Sequence, residues 1–317
     1  MGGMLRRENF RILLYSLVLT GTAHPSPDPR LTCLIPGEAQ LVSGISASSS
    51  RGQPSNFVLM TGKNQIDLTD FYALTGGDDT RRIHQIALVA LSDKAMLDEH
   101  SLLASGYFDK SRTFKAAISA GATIAMYRGI EVAEIQPFGR ERKSFNEARW
   151  LAILDSGVLV FGSIDLIRLE LDRYLSHSDS DESLLRRLGH LRSKNQEWCV
   201  LSGSIDRLAL PVWREEIHST LTAINPELAN TALSADEFEF GLFFGRHVEL
   251  EYFLSGVPDR NSSSSIDPLN KKVGEAALPT SLLASIDQSA EMNTTHRIIT
   301  IPTSRFEDWL SEIANRR

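Results

Sequence analysis

The stretch from Asp236 to Ser255 constrains the fold most, because apolar and polar side chains alternate along two successive segments of it. A period of two is typical of strands that bury one face of a sheet. The apolar positions are Phe238, Phe240, Leu242, Phe244, Val248, Leu250, Tyr252 and Leu254. The sequence therefore predicts a long antiparallel hairpin with one buried face.

The same alternation sets the expected register of this hairpin. A two-residue turn at Gly245 and Arg246 would place apolar and charged side chains on one face. A three-residue loop or a bulge instead pairs Phe244 with Val248 and collects four acidic residues on the other face: Glu237, Glu239, Glu249 and Glu251. This acidic face is either solvated or a cation site. We expect a solvated face, because polar residues normally alternate outward on a one-sided sheet.

Residues 1–23 have the order of a secretory signal peptide. Arg6 and Arg7 precede an apolar run from Ile12 to Thr20, and residues 21–23 are small enough for cleavage. The apolar run is shorter than the roughly 20 residues that a membrane-spanning helix needs. We predict cleavage after Ala23, export to the periplasm or the exterior, and no stable transmembrane segment afterwards. The alternative is an N-terminal segment that is disordered or docked on the core.

Composition narrows the classes of partner. The chain has 317 residues and a formal net charge of −7 at pH 7. An acidic balance argues against a nucleic-acid partner, which calls for a basic face, and against adhesion to anionic lipid. Cys33 and Cys199 could pair in an oxidising compartment, or Cys199 could be a small buried hydrophobe within the apolar run 198–201.

The first part of the chain has the element order β, α, β, β, α, β. A proline-rich arm at 24–34 precedes it. The predicted elements are strands at 40–46, 83–91, 101–108 and 123–127, the last paired in a hairpin with 130–136, and helices at 67–75 and 109–120. Asp109 and Gly121 bound the second helix as its N-cap and its stop. This order is the split βαβ pattern of ferredoxin-like folds.

The second part repeats this pattern after an extra hairpin. The predicted elements are the hairpin at 150–154 and 158–161, helices at 165–176 and 182–194, a strand at 197–204, helices at 211–224 and 274–290, a strand at 296–301, and a closing helix that begins with the capping box of Ser304 and Glu307. We predict an α+β protein with two βαββαβ (ferredoxin-like) halves, antiparallel sheets and an extra β-hairpin between them. Residues 35–176 form the first half with the hairpin, and residues 177–317 form the second.

The sequence offers no recognisable catalytic, cofactor or metal motif, so we predict no catalytic, cofactor-binding or metal residues. A zinc-binding helix, a serine nucleophile elbow and a phosphate loop are all missing. The acidic run 178–182 precedes a helix with a basic far end, which favours interaction with the helix dipole over calcium binding. The triplet Asp98, Glu99 and His100 lies on a predicted loop, where neighbours point apart, so we expect a polar connection.

Four ordered phrases carry a family resemblance. They are Ile35 to Val42, Gly106-Tyr107-Phe108, Tyr127-Arg128-Gly129-Ile130 and Leu159-Val160-Phe161-Gly162-Ser163. Over residues 35–176 the chain resembles the exported bacterial proteins of the DUF3352 type. The resemblance implies export, and it implies no catalytic residue because that family has no established activity.

Three functions are compatible with this sequence. The leading hypothesis is an exported non-enzymatic protein that binds a small apolar ligand or a partner protein in the cell envelope, through a sheet face or a groove. The apolar run Phe57 to Met60 could contribute to such a surface, although a buried strand is its more ordinary use. One alternative is an exported hydrolase whose carboxylates, such as Asp206, Glu249 and Glu251, meet in the fold. A further alternative is a structural or assembly factor.

Overall fold

The computed structural model describes thirteen stretches of the chain. They are residues 27–46, 58–61, 64–67, 83–91, 100–136, 148–155, 157–191, 195, 197–202, 235–244, 246–256, 285–291 and 294–302. The strands are β1 (Ala39–Ser46), β2 (Val58–Thr61), β3 (Asn64–Asp67), β4 (Ile83–Leu91), β5 (His100–Gly106), β6 (Thr123–Tyr127), β7 (Ile130–Ile135), β8 (Arg149–Leu154), β9 (Val158–Ser163), β10 (Glu197–Ser202), β11 (Glu237–Phe244), β12 (His247–Ser255), β13 (Ser285–Glu291) and β14 (Thr294–Pro302). The helices are α1 (Pro29–Thr32), α2 (Lys110–Ser119), α3 (Ile164–Leu175) and α4 (Glu182–His190).

One large antiparallel sheet organises these elements. Twelve of the described strands form it in the order β13-β14-β12-β11-β10-β1-β4-β5-β9-β8-β7-β6, and β2 pairs with β3 separately. On one side of β1, the strands β4 and β5 follow in order. The meander from β6 to β9 comes next, and its last strand, β9, pairs with β5. On the other side, β10 pairs directly with β1. The predicted α+β class with antiparallel pairing is therefore confirmed.

The long hairpin has the register that the sequence predicts. Phe244 pairs with Val248 and Phe238 pairs with Leu254 across β11 and β12. Phe238, Val248 and Leu254 are buried. The side-chain period of two explains this outcome, since a shift of one residue would turn the whole apolar set to the other face.

A division into two ferredoxin-like halves is not confirmed by this pairing. Residues 41–45 of β1, in the first predicted half, pair with residues 197–201 of β10, in the second. β1 also pairs along its other edge with β4. The predicted boundary at residue 176 therefore lies between two strands of one shared sheet.

One part of the core lies between one face of the sheet and the helices α1, α3 and α4. Alternate residues of the central strands point to this face and join Ile167 and Leu171 of α3 and Leu184 of α4 in one buried cluster. Helix α2 packs on β7 from the opposite face, where the Lys110 ammonium lies 3.1 Å from the Glu131 carboxylate. Asp109 accepts a hydrogen bond from the Arg112 backbone, and Gly121 follows the helix with a φ of 93°. Both predicted boundary residues of α2 are confirmed.

The proline-rich arm, as far as the described residues show it, is part of the core. Asp28 caps α1, and Pro29 occupies the first turn of that helix, where a missing N–H costs nothing. Leu31, Leu34 and Ile35 are each 1% exposed. The arm therefore anchors the N-terminal side of the sheet.

One predicted helix is wrong where the structure describes it. Residues 285–290, assigned to a helix at 274–290, belong to β13, which pairs with β14 from Ser285 opposite Thr300 to Glu291 opposite Thr294. The neighbouring strand satisfies the backbone hydrogen-bonding groups, and this tertiary pairing overrides a weak helical preference. Helix α4 is also shorter than predicted, because the backbone becomes extended at Leu191.

Several predicted elements lie outside the described residues. They are the signal peptide at 1–23, most of the helix at 67–75, the helix at 211–224, residues 274–284 and the closing helix after Ser304. Among the described helices, none is long and apolar enough to cross a membrane.

Candidate functional site

Helix α4 places cationic side chains on the glutamate face of β11 and β12. The Asp181 carboxylate caps the helix by accepting a hydrogen bond from the Leu184 N–H at 2.8 Å, so this part of the acidic run 178–182 lies at the start of the helix, as its explanation by the helix dipole requires. Leu184 and Arg187 lie one turn apart and are both buried, so the helix directs a guanidinium as well as an apolar side chain toward the sheet.

Glu237 is the best paired carboxylate beneath this helix. Its Oε1 lies 2.7 Å from Arg186 Nη2, and its Oε2 accepts a hydrogen bond from Ser255 Oγ at 2.8 Å. Partial burial raises the pKa of Glu237, but the hydrogen bonds from Ser255 and Arg186 more than offset this, and the pKa falls below its usual value. Glu237 is therefore ionised at neutral pH.

Glu239, two residues along the same strand, has the opposite character. Its side chain is fully buried, and no described residue donates a hydrogen bond to either carboxyl oxygen. Burial, followed by the negative charge of Glu237, raises the pKa of Glu239 to about 8. The carboxyl is therefore mostly neutral at pH 7. His190 Nδ1 lies 3.8 Å from its Oε1, too far for a hydrogen bond.

His190 lies beside Glu239. Its ring stacks on Phe253 with the ring centroids 4.0 Å apart. Burial, together with the positive charge of Arg186, lowers the pKa of His190. The imidazole is therefore neutral at pH 7.

Glu251 on β12 is also fully buried, but it has polar partners. Asn195 Nδ2 donates to its Oε2 at 2.5 Å, and His296 Nε2 lies 2.9 Å from its Oε1. Gly241 allows this approach, because a Cβ there would lie 2.2 Å from Asn195 Nδ2. We call Glu237, Glu239, Glu251, Asn195, His190 and His296 the carboxylate cluster.

The carboxylate cluster corrects part of the sequence prediction. The four glutamates do share a face, since Glu239 pairs with Phe253 and Glu251 with Gly241 in the predicted register. A solvated face is wrong for Glu239 and Glu251, because both are fully buried, with α4 over Glu239 and Asn195 against Glu251. In the part of the chain that the structure describes, no three His, Cys, Asp or Glu side chains are arranged to hold a metal ion. Only the structure shows that Arg187 is buried between Leu184 and Leu191 on the helix that covers this acidic face.

A single buried carboxyl lies elsewhere on the same face of the sheet. Glu170 of α3 accepts a hydrogen bond from Ser101 Oγ of β5. Burial raises the pKa of Glu170 to about 8, and the Ser101 hydrogen bond offsets this in part. Sequence analysis did not single out Glu170, since one glutamate on an amphipathic helix carries no signal of burial.

The opposite end of the sheet, at β6, presents exposed side chains. β6 is the last strand on that side among those described, and it joins β7 through a two-residue turn in which Arg128 and Gly129 have φ values of 48° and 89°. In such a turn the flanking residues Tyr127 and Ile130 form a hydrogen-bonded pair. Backbone groups alternate in direction, so those of Ile124 and Met126 point away from β7 toward the open edge.

The side chains of this edge are apolar and exposed. Ile124 is 39% exposed, Met126 is 67% exposed, and Ile118 at the end of α2 is 51% exposed. Ile124 and Met126 point to the same face as Glu131, and Lys110 of α2 forms an ion pair with Glu131. Helix α2 carries Lys110, Arg112 and Lys115 and no acidic residue. We call Ile118, Ile124 and Met126, with these three cations, the β6 patch.

The two cysteines lie on opposite sides of the sheet. Cys33 follows α1 in the helical layer, where its carbonyl accepts a hydrogen bond from Arg173 Nε of α3. Cys199 points to the other face, because it alternates with Trp198 and Val200 of the core cluster. Both thiols are free, and burial raises the pKa of Cys199 to about 12. The structure therefore contradicts the Cys33–Cys199 disulfide and supports the buried-hydrophobe interpretation of Cys199.

The remaining predicted positions contribute little. His100 begins β5 and is buried, whereas Asp98 and Glu99 lie outside the described residues. Residues 58–60 belong to the short strand β2, and Asp206 lies outside the described residues. The structure thus places Glu249 and Glu251 on one strand, and it says nothing of Asp206.

The described fold is an α+β protein with one extended antiparallel sheet. No family model matches the chain, and no curated protein matches it. Among solved structures, the chain is similar to TP0453 in its crystal form I, with 14% sequence identity and a TM-score of 0.49, over 93% of this chain and 100% of that one.

Proposed function

We propose that this is an exported, non-enzymatic binding protein that holds a partner protein at the β6 patch. The observation that carries the proposal is the edge of the sheet at β6, where exposed apolar side chains and outward-pointing backbone groups coincide. Natural sheets usually protect such an edge with a charge, a proline or a covering loop. The residues of β6, Thr123 to Tyr127, include neither a charge nor a proline.

A partner protein fits this surface better than a small apolar ligand. Ligand sites are concave and enclose most of their ligand, whereas Met126 and Ile118 are more than half exposed. Most apolar side chains of the central strands β4, β5, β8 and β9 are already buried on both faces. Ile118, Ile124 and Met126 add accessible apolar surface at this edge, where an extended segment of another protein can add to the sheet.

The hydrolase alternative rests on the carboxylate cluster. Glu237 and Glu239 have pKa values displaced in opposite directions, which is the pattern of an acid and a base in many hydrolases. Glu239 and Glu251 are fully buried, however, so neither carboxyl reaches a substrate in this conformation. We therefore rank catalysis below binding.

Export, the resemblance to DUF3352-type proteins and the division into two halves belong to the same proposal. Export predicts that the protein recovered from its host begins at His24. The two-half division predicts that residues 35–176 fold when expressed alone. The pairing of β1 with β10 counts against that, because removing residues 177–317 strips β1 of one neighbour.

The test is site-specific photo-crosslinking in the native host. A photo-reactive side chain replaces Met126 in one strain and Leu185 in another, since Leu185 of α4 is 47% exposed but lies far from β6 along the sheet. We expect one discrete adduct from position 126 and none from 185. Mass spectrometry then identifies the partner, and the purified pair must reproduce the adduct.

Two matched variants test whether the adduct depends on the β6 patch. Met126→Glu should abolish the adduct formed from a photo-reactive residue at position 124, whereas Leu185→Glu should preserve it. Both changes should alter the free energy of unfolding by less than about 0.5 kcal/mol, because both positions are exposed. Equal adducts from positions 126 and 185, or none from either, would overturn the proposal. A concentration-dependent dimer through β6 would favour the assembly-factor alternative.

A further inference from the structure

We propose that the side chain of His190 is a gate over the buried carboxyl of Glu239. In the closed position the imidazole stacks on Phe253, with the ring centroids 4.0 Å apart. In the open position the ring turns into solvent, and water reaches the carboxyl. This gate lies toward the end of the sheet away from the β6 patch, so it is independent of the proposed partner.

His190 lies beside Glu239 and nearer to solvent. Its side chain is 23% exposed, whereas that of Glu239 is fully buried, and His190 Nδ1 is 3.8 Å from Glu239 Oε1. Helix α4 ends at His190 and the backbone is extended at Leu191, so no further helical turn confines the ring on that side. The imidazole is therefore the part of the cover over Glu239 that can move without displacing the helix.

Little holds the ring in its closed position. Nδ1 is buried and has no hydrogen-bond partner among the described residues, since 3.8 Å from Glu239 Oε1 is beyond hydrogen-bond distance. The stack on Phe253 opposes opening. Turning the ring outward gives Nδ1 a water partner, which offsets the loss of the stack. The closed and open positions are therefore close in free energy.

The carboxyl beneath the gate also gains from water. Neither oxygen of Glu239 accepts a hydrogen bond from a described residue, and Nη1 of the buried Arg187 likewise has no partner there. Unpaired polar groups in a protein interior lose the hydrogen bonds that they make in water. The gain on opening is largest for the ionised carboxylate, because an ion gains more from hydration than a neutral acid does.

The charged groups of α4 and β11 make ionised Glu239 unfavourable while the gate is closed. Glu237, on the same strand, is ionised and repels a second negative charge. Arg186 of α4 is paired with Glu237 at 2.7 Å. Arg187 of α4 forms no hydrogen bond or ion pair with Glu239. No cation in direct contact therefore stabilises the carboxylate.

The neighbouring strands β12 and β14 do not supply one either. Phe253 of β12 is apolar, and Glu251 of β12 lies 2.9 Å from His296 Nε2 of β14. Burial, followed by the negative charge of Glu237, raises the pKa of Glu239 to about 8 in this arrangement. Ionisation of Glu239 and the closed position of the gate therefore oppose each other.

The gate consequently opens as the pH rises. The pKa of Glu239 is about 8 beneath the closed gate and falls toward 4.5 in water. Between these values the open state releases a proton that the closed state holds, so each pH unit favours opening by up to about tenfold. Opening also returns the lowered pKa of His190 to 6.5, and below that pH the proton that His190 takes up cancels the one that Glu239 releases. The response is thus confined to pH 6.5 to 8.

NMR spectroscopy of the full chain tests the gate, because the Phe253 ring current shifts the imidazole protons of His190 only while the two rings are stacked. We expect these shifts to move toward their solvent values between pH 7 and 8, as the ratio of open to closed rises by up to about tenfold. In Glu239→Gln, which has no proton to release, the shifts should stay constant. Constant shifts in the parent protein, or the same movement in Glu239→Gln, would overturn the proposal.

Variants of the gate provide an independent measurement. NMR follows the titration of the Glu239 carboxyl carbon in the parent, in His190→Ala and in His190→Phe. Alanine removes the gate, so the midpoint should fall by about one pH unit or more. Phenylalanine fills the place against Phe253, so the midpoint should stay within about 0.3 units of the parent value.

The control is Leu185→Ala on the same helix, where the side chain is 47% exposed. It should leave the midpoint of Glu239 unchanged. Equal midpoints in His190→Ala and His190→Phe would show that the imidazole does not control the access of water to Glu239, and the gate would be wrong.

Discussion

The two ends of the sheet treat polar and apolar groups in opposite ways. At β11 and β12, ionisable side chains are buried beneath α4, and Glu239 is fully buried. At β6, apolar side chains are exposed, and Met126 retains 67% of its accessible surface. Both arrangements cost free energy in an isolated folded chain. The two ends therefore carry costs of opposite kinds: one buries polar groups away from water, and the other leaves apolar side chains in contact with water.

The largest expected effect is at Gly241, where the carboxylate cluster depends on close packing. Gly241→Ala places a Cβ 2.2 Å from Asn195 Nδ2 and displaces the amide that binds Glu251. We expect a loss of about 3 kcal/mol, from overpacking and from the lost hydrogen bond to a buried carboxylate. Urea unfolding measures it.

The control for this variant is a glycine of α4 itself. Gly189 has no atom within 4 Å of an added Cβ, so Gly189→Ala should stabilise the protein by up to about 1 kcal/mol through helix propensity. Equal effects of the two alanines would show that Asn195 does not hold the cluster together.

The second prediction concerns pH. Glu239 and Glu170, with pKa values raised from 4.5 to about 8, bind a proton more tightly in the folded than in the unfolded protein. Their stabilising contribution is complete below pH 4.5 and is lost as the pH rises through 8. Stability should therefore fall between pH 7 and 8 by up to about 1.4 kcal/mol per pH unit for each group.

The choice of this window removes the opposing effect of His190. Its lowered pKa makes stability rise with pH, but only up to the unfolded value of 6.5. Urea unfolding of the parent and of Glu239→Gln at pH 7 and pH 8 gives the slope. The variant should lose the part due to Glu239, and an unchanged slope would mean that Glu239 is ionised in the folded state.

The smallest effect is expected at the β6 end. Gly129 has a φ of 89°, and nothing lies within 4 Å of an added Cβ there. Gly129→Ala should cost about 1 kcal/mol through backbone strain alone. Thermal unfolding measures the loss. A cost as large as that at Gly241 would show that the hairpin of β6 and β7 is as tightly packed as the carboxylate cluster.

Local pattern predicted much of the described fold. Strand β4 has the predicted bounds, Asp109 and Gly121 bound α2, and the pairing of Phe244 with Val248 follows from alternation alone. Prediction was poorest where local preference is weak. Residues 285–290 are polar and have no strong periodicity, so their partner β14 decided that they form a strand.

The candidate site was predictable in part. Alternation placed Glu239 and Glu251 on one face, but it did not reveal that α4 covers that face. The exposure of apolar residues such as Met126 cannot be predicted from the sequence. A β-strand with one uncovered face has the same sequence pattern as a strand that is buried on both faces.

The sequence by itself determined most of the described strands, their faces and the register of the long hairpin, because these depend on side-chain periods and turn residues within about twenty positions. Only the tertiary structure decided that β1 joins β4 and β10 in one sheet, that α4 buries Glu239, and that β6 is the last strand on its side among those described. Those outcomes depend on which elements meet across long separations in sequence. The energy of such contacts comes from packing and burial, which no local stretch of residues encodes.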